Sequence, residues 1–166
     1  MLTLPHRTER ENVDGQAEAD IAGRGPLEPA LRALARELGV ADAVRFLGHI
    51  TPIQSAIERA TVVVVPSMGE GFGMVALEAM ERARPVIAAE IGGLGEIVRD
   101  GETGLLVPAG EAEPLADAIG RLAGDPELAR RMGEAGRRRA LARFLQVFCT
   151  ERTELLYEAA LERADR

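Results

Sequence analysis

The sequence contains no lysine, so all twenty of its basic side chains are arginines. Tryptophan is also absent, and aromatic residues make up only 3% of the 166 residues. Acidic residues number 27, which leaves a formal net charge of -7. Because nucleic-acid binding requires a basic face, this charge argues against a nucleic-acid partner.

Cysteine and histidine are nearly absent as well. The single cysteine, Cys149, excludes an intramolecular disulfide and any multi-cysteine metal site. Two histidines, His6 and His49, are too few for a typical zinc site. We therefore interpret Cys149 as a small apolar side chain of the interior, and we predict no bound metal.

Long hydrophobic runs are missing too. No uninterrupted apolar stretch approaches the roughly 18–20 residues that a membrane-spanning helix needs. The first residues, with Glu9, Glu11 and Asp14, lack the apolar region of a signal peptide. These absences predict a cytoplasmic protein, and the chain length suits one globular domain.

Short apolar segments alternate with amphipathic ones along most of the chain. Strands are predicted at 44–47, 62–65, 85–88 and 105–107, with helices between and after them. Thr51 and Asp125, each followed directly by a proline, are the predicted N-caps of two of these helices. This alternation predicts an α/β fold: a Rossmann-like parallel sheet flanked by helices, with a C-terminal helical extension. Residues 1–20 are predicted to be a poorly defined arm, 21–142 the domain proper, and 143–166 a C-terminal helix of the same domain.

A glycine-rich loop follows the β-branched run Val62 to Val65 and leads into a predicted helix near Gly73. The free amides and positive dipole end of such a helix suit a phosphate or diphosphate. Glu70 precedes this helix and Glu78 lies about one and a half turns inside it, where carboxylates could accept from adjacent sugar hydroxyls. The alternative interpretation is a simple tight turn followed by a solvated glutamate.

From about Ile21 to Tyr157 the sequence resembles the C-terminal domain of retaining GT-B glycosyltransferases of family 4, the glycosyl transferases group 1. The resemblance rests on ordered segments along the chain. They are Gly23-Arg24-Gly25-Pro26, Val44-Arg45-Phe46-Leu47-Gly48, Pro66-Ser67, Glu70-Gly71-Phe72-Gly73, Glu78-Ala79-Met80, Pro85-Val86-Ile87-Ala88, Gly92-Gly93 with Glu96, and Asp100-Gly101-Glu102-Thr103-Gly104-Leu105-Leu106-Val107.

The resemblance implies a donor-binding site for a nucleoside-diphosphate sugar. Glu70 is its candidate catalytic residue, in contact with the donor-sugar hydroxyls, and Glu78 would bind the ribose. The loop Gly48-His49-Ile50 would lie by the nucleobase, with Ile50 as the contact. Backbone amides would face the sugar and the diphosphate; they belong to Gly71, Phe72, Gly73, Met74 and Val75.

The resemblance fails at the N-terminal side. The family opens this domain with a strand and helix that carry an arginine and a lysine for the donor phosphates, and nothing before Ile21 matches them. Arg7 and Arg10 have the wrong surroundings, and residues 16–20 are polar where a strand is expected. The acceptor-binding N-terminal domain is not represented either, so we expect this polypeptide alone to be inactive.

Three hypotheses remain open. The chain is the donor-binding half of a glycosyltransferase that moves a hexose to a glycan, lipid or small acceptor with retention. Alternatively, it is a non-catalytic nucleotide-binding module, or an inactive truncated fragment. A further hypothesis is a homodimer through an exposed inter-domain face around Phe144, Phe148, Leu155 and Leu156. Another is membrane contact by Arg137, Arg138 and Arg139, for which the simpler interpretation is a solvated helix face.

Overall fold

A computed structural model of the chain describes residues 2–5 and 18–144. The strands are β1 Leu2–Pro5, β2 Ala19–Ala22, β3 Val44–Gly48, β4 Ala60–Val65, β5 Val86–Ala89 and β6 Gly104–Val107. The helices are α1 Glu28–Glu37, α2 Gln54–Arg59, α3 Met74–Glu81, α4 Leu94–Ile97, α5 Ala112–Gly124 and α6 Pro126–Arg143, with a short 3₁₀ turn at Ala41–Ala43.

The strands form one sheet in the order β3-β2-β1-β4-β5-β6. The β2–β3, β4–β5 and β5–β6 pairs are parallel, whereas β1 runs antiparallel to both β2 and β4. All strands except β1 therefore end at the same side of the sheet, which we call the carboxyl edge. The predicted α/β fold with a parallel sheet flanked by helices is confirmed.

The centre of the sheet is buried on both faces, as the β-branched run predicts. Val63 and Val65 of β4 pack with helices α2, α3 and α4 on one face. Val62 and Val64 pack on the other face with α5 and the first part of α6. Successive side chains of a strand point to opposite faces, so an unbroken valine run serves two cores at once.

Two described strands lie wholly or partly within residues 1–20, the segment predicted to be a poorly defined arm. Strand β1 lies within them, and β2 begins at Ala19 inside the polar segment. The buried Asp20 is compatible with a strand because Arg45, its partner in the parallel register, donates to both carboxylate oxygens at 2.6 and 3.0 Å. This pairing with Asp20 also raises the pKa of Arg45.

Two helix starts test the capping signals. The Asp125 side chain accepts a hydrogen bond from the Leu128 amide at 2.9 Å, so the predicted N-cap of α6 is confirmed. The predicted N-cap Thr51 is wrong, because α2 begins at Gln54 with Ile53 at the N-cap. The Thr51 hydroxyl is instead 3.1 Å from His49 Nε2.

The predicted C-terminal helix at 143–166 falls almost entirely outside the described residues. Helix α6 ends at Arg143 and Phe144 caps it. Phe148, Cys149, Leu155 and Leu156 therefore stay sequence-based predictions, as do the boundaries of the three predicted segments. Within the part of the chain that the structure describes, no helix has the length and apolar character to cross a membrane.

Candidate functional site

Two loops meet at the carboxyl edge of the sheet. The first loop, residues 66–73, connects β4 to α3, and the second loop, residues 90–93, connects β5 to α4. The Gly93 amide donates to the Gly71 carbonyl at 3.3 Å. A Cβ atom on Gly92 would collide with the Glu70 carbonyl oxygen, and one on Gly93 would lie 2.6 Å from that of Phe72. The second loop thus supports the backbone of the first.

The first loop ends in an unusual helix start. Gly73 is the N-cap of α3 and has a φ of 97°, a left-handed conformation that favours glycine. A Cβ there would also lie 2.5 Å from Leu94 Cδ2. Among the described residues, no backbone carbonyl accepts from the amides of Met74 and Val75. These amides, together with the helix dipole, make the start of α3 favourable for an anion.

Two glutamates lie on the first loop and on α3. Glu70 is half-buried on the first loop, and one oxygen of its carboxylate accepts from the Ser67 hydroxyl at 3.2 Å. Glu78 is half-buried on α3, and its Oε2 atom is buried without a hydrogen-bond partner in residues 2–5 and 18–144. The nearby Arg82 donates to the main-chain carbonyl of Glu78, at 3.0 Å, and not to its carboxylate.

The unpaired Glu78 oxygen is the least expected feature of the site. A buried polar atom without a partner costs about 1–3 kcal/mol, and more when it carries charge. Such atoms are rare in native proteins unless a ligand, an ion or water meets them. The Glu78 carboxylate is therefore suited to accept hydrogen bonds from a bound hydroxyl group.

Ile50 lies apart from the group around α3. It follows β3, is half-buried, and is next to the exposed His49. Strands β2 and β1 separate β3 from β4, which corresponds to roughly 14 Å across the sheet. Glu70, residues 71–75 and Glu78 thus lie on one loop and the helix that follows it, whereas Ile50 lies at the same edge on the other side of β1.

Three contacting residues were not among the predicted site residues. Ser67 orients Glu70, and the Phe144 ring meets the Phe72 ring edge-on, with centroids 6.1 Å apart and an interplanar angle of 66°. The Arg139 guanidinium lies 5.6 Å from the centroid of the Phe144 ring. Ser67 had a sequence signal, since it belongs to the segments that carry the resemblance, whereas Phe144 is 72 residues from Phe72 and had none.

Arg139 differs from the solvated helix face that the sequence predicts for it. Its side chain donates to the carbonyl oxygens of Ile97 and Glu96 at 2.8 and 2.6 Å. These two hydrogen bonds give partners to carbonyls at the C-terminal end of α4. Burial, followed by the nearby charges of Arg99 and Arg143, lowers the pKa of Arg139. Arg137 and Arg138 are exposed, as predicted.

In residues 2–5 and 18–144, no group of three or more His, Cys, Asp or Glu side chains could hold a metal ion. The described site offers backbone amides for an anion and carboxylates for hydroxyl groups. A parallel α/β sheet with such a loop and helix at its carboxyl edge defines a class of nucleotide-binding folds.

A family model for glycosyl transferases group 1 matches residues 7–139, and the chain belongs to this family. The chain is 47% identical, over 115 residues, to a D-inositol 3-phosphate glycosyltransferase of Nocardia farcinica, which covers 68% of this chain and 26% of that protein. It is 38% identical, over 141 residues, to a putative glycosyltransferase EpsD of Bacillus subtilis, which covers 85% of this chain and 37% of that protein.

Solved structures agree with the family. A sucrose-phosphate synthase from Thermosynechococcus elongatus superposes with a TM-score of 0.77 at 37% identity, over 87% of this chain and 38% of that one. Anabaena Alr3699/HepE, crystallised in complex with UDP, gives 0.78 at 27% identity, over 84% of this chain and 40% of that one. The chain spans between 24% and 37% of the length of the curated relatives that it matches.

Proposed function

We propose that this chain is the donor-binding half of a glycosyltransferase that transfers a hexose from a nucleoside-diphosphate sugar to a glycan, lipid or small acceptor, with retention of configuration. The observation that carries the proposal is the buried Glu78 oxygen without a partner, on a helix whose start suits an anion. A ribose hydroxyl on Glu78 and a diphosphate at the start of α3 would satisfy both features with one ligand.

Each part of the donor has a matching group in this arrangement. The amides of residues 71–75 would bind the diphosphate and the sugar, and Glu70, held by Ser67, would accept from the sugar hydroxyls. Ile50 would lie by the nucleobase, at the separate position beyond β1 and β2. The UDP in the Anabaena complex supports a uridine nucleotide as the first ligand to test. Donor binding without a metal is part of this proposal.

Calorimetric titration of the purified chain with UDP, GDP and ADP tests the donor assignment. Saturable binding of one nucleotide is expected, and Glu78→Gln should weaken it about tenfold or more, because a hydrogen bond to a charged group contributes about 1.5–3 kcal/mol. Glu81→Gln is the matched control, since Glu81 is an exposed glutamate at the end of the same helix. No binding at millimolar nucleotide would contradict the proposal, and equal affinity of Glu78→Gln and wild type would remove Glu78 from it.

A non-catalytic nucleotide-binding module is the second candidate, and the direction of β1 favours it. Pro5, at the end of β1, pairs with Ala60 at the start of β4, so β1 ends at the side of the sheet opposite the two loops. The family resemblance implies an arginine and a lysine for the donor phosphates on the strand and helix that open this domain. Removing one group that stabilises transition-state charge costs about 10²–10³ in rate, so binding without turnover is the expected behaviour of this chain alone.

Transfer would then require an acceptor-binding lobe, supplied by the same protein or by a separate chain. The carboxyl edge offers an apolar surface for such a lobe, since Met68 and Met74 are 74% and 58% exposed beside the candidate site. A homodimer through the predicted inter-domain face, membrane contact by Arg137 and Arg138, and a cytoplasmic location are further parts of the proposal. Mixing the chain with an acceptor-lobe polypeptide and measuring hexose transfer would separate the two candidate functions.

A further inference from the structure

The first loop has little to fix its position other than its neighbours. Three of its last five residues are glycines, Gly69, Gly71 and Gly73, and glycine loses more conformational freedom on ordering than any other residue. Phe72 carries the one aromatic side chain of this loop. Its ring meets Phe144 edge-on, which is a favoured geometry for aromatic pairs.

Phe144 is itself held from two sides. It caps α6 through its amide, which donates to the Ala140 carbonyl at 2.9 Å, and it packs partly against the hydrophobic cluster around α3. The Arg139 guanidinium lies over its ring, where a cation is attracted to the aromatic face. The end of α6 is thus a fixed point beside the first loop.

Arg139 extends this support to the second loop. By donating to the Glu96 and Ile97 carbonyls it fixes the end of α4, the helix that starts directly after Gly93. Gly93 in turn packs so closely on Phe72 that a Cβ would lie 2.8 Å from the Phe72 Cα. One arginine and one phenylalanine of α6 therefore contact both loops, directly or through α4.

We propose that Phe144 and Arg139 are positioning residues, which hold the first loop in the conformation that presents residues 71–75 to a ligand. The identity of the ligand in this inference, a nucleoside diphosphate, rests on the proposed function. The effect of the two residues on the conformation of the loop does not depend on that function. A merely structural Phe144 would lower the global stability without a selective effect on the loop, so the two roles differ in what they change.

Hydrogen exchange measures the positioning without any ligand. The reporter amides are those of Gly93, which donates to the Gly71 carbonyl, and of Ala76 and Leu77, which donate to the Gly73 carbonyl. Phe144→Ala should speed their exchange about fivefold, the effect of losing one aromatic pair, because these amides exchange by local opening of the loop. A merely structural Phe144 would speed only those amides that exchange by global unfolding, such as the amide of the fully buried Leu122 in the opposite core. Leu141→Ala is the matched control, because this exposed residue lies in the last turn of the same helix.

Conservative variants and affinity complete the test. Phe144→Tyr should restore slow exchange, since it keeps the ring, and Arg139→Ala should repeat the effect at Gly93. Nucleotide affinity should fall about fivefold in Phe144→Ala and not in Leu141→Ala. Equal exchange of the reporter amides in Phe144→Ala and Leu141→Ala would overturn the inference. Selective loop exchange in a chain that binds no nucleotide would uphold it and contradict the proposed function instead.

Discussion

The half of the molecule that contains β4, β5 and β6 is packed very differently from the half that contains β2 and β3. The packed half, residues 60–144, buries every residue of β5 and nearly all of β4, with helices on both faces. The thin half, residues 18–48, buries Ala22, Ala35 and Asp20. Both glycine loops of the candidate site belong to the packed half. A ligand site that needs a precise backbone is thus supported by the part of the molecule with the most tightly constrained core.

Helix α1 shows the contrast most clearly. Its leucine stripe has the spacing of a core-facing helix, yet the side chains of Leu27, Leu31, Leu34 and Leu38 are 68%, 43%, 48% and 66% exposed. Ala35 is the buried side chain of this helix, and the guanidinium of Arg32 lies 4.3 Å from the centre of the Phe46 ring of β3. The thin half is therefore held by polar and cation–π contacts more than by buried apolar area.

The largest expected difference comes from the same truncation in each half. Leu122→Ala, in the fully buried part of α5, should lower the free energy of unfolding by about 2–5 kcal/mol, because it removes apolar contacts and leaves a cavity. Leu34→Ala, on the exposed stripe of α1, should cost about 0.5 kcal/mol or less. Urea unfolding followed by circular dichroism measures both. Equal losses would show that the two halves are packed alike.

A second prediction concerns the contact between the two loops in the packed half. Gly93→Ala introduces a Cβ against the Phe72 backbone, which has no flexible end to move aside, so it should cost about 3 kcal/mol and weaken nucleotide binding. Gly95→Ala is two residues away, meets nothing within 4 Å, and should be neutral or slightly stabilising. Thermal unfolding and nucleotide titration of both variants check this. A tolerated Gly93→Ala would mean that the second loop does not support the first.

Most of the packed half could be predicted from local sequence, whereas the thin half could not. The valine run, the glycine-rich loop and the Asp125-Pro126 cap each carry their structural meaning within a few residues, and β4, α3 and α6 follow from them. The direction of β1 depends on which strands its four residues pair with. The sequence of so short a strand does not encode that pairing. Helix α4, at four residues, is too short to show a helical period.

Long-range pairs were the other features beyond prediction. A polar residue at position 20 argues against a strand until Arg45, 25 residues away, is seen to neutralise it. Arg139 reads as a surface arginine until its contacts with α4, more than 40 residues away, are known. The candidate site followed the same rule: Glu70 and Glu78 were evident from local motifs, and Phe144 was not.

The third prediction concerns the ion pair between Asp20 and Arg45 in the thin half, in which one partner is buried and the other half-exposed. Arg45→Ala leaves the buried Asp20 carboxylate without its partner and should cost about 2 kcal/mol, less than for a fully buried pair because the side chain of Arg45 is half-exposed. Asp20→Ala leaves an arginine that water can reach, so it should cost less. Urea unfolding of both variants and the double variant measures the asymmetry, and a larger loss in Asp20→Ala would reverse this account.

The smallest expected effect lies at a strained joint in the packed half. Among the described residues, Ala83 is the only non-glycine with positive φ, at 54°, and it follows α3 as the left-handed residue of its C-terminal cap. The Ala83 amide donates to Met80 and the Arg84 amide to Ala79, both at 2.9 Å, which is the bond pattern of a Schellman motif. Glycine adopts this conformation without the contact between Cβ and carbonyl that alanine makes.

Ala83→Gly should therefore stabilise the protein by up to about 1 kcal/mol, the relief of the left-handed strain less the added freedom of the unfolded chain. Ala116→Gly, at an exposed position inside α5, should have the opposite sign and cost about 1 kcal/mol. The difference in melting temperature between the two variants is the measurement. If Ala83→Gly also destabilises, the strain at this joint is smaller than the entropy that glycine adds, and even the packed half holds its single left-handed alanine at little cost.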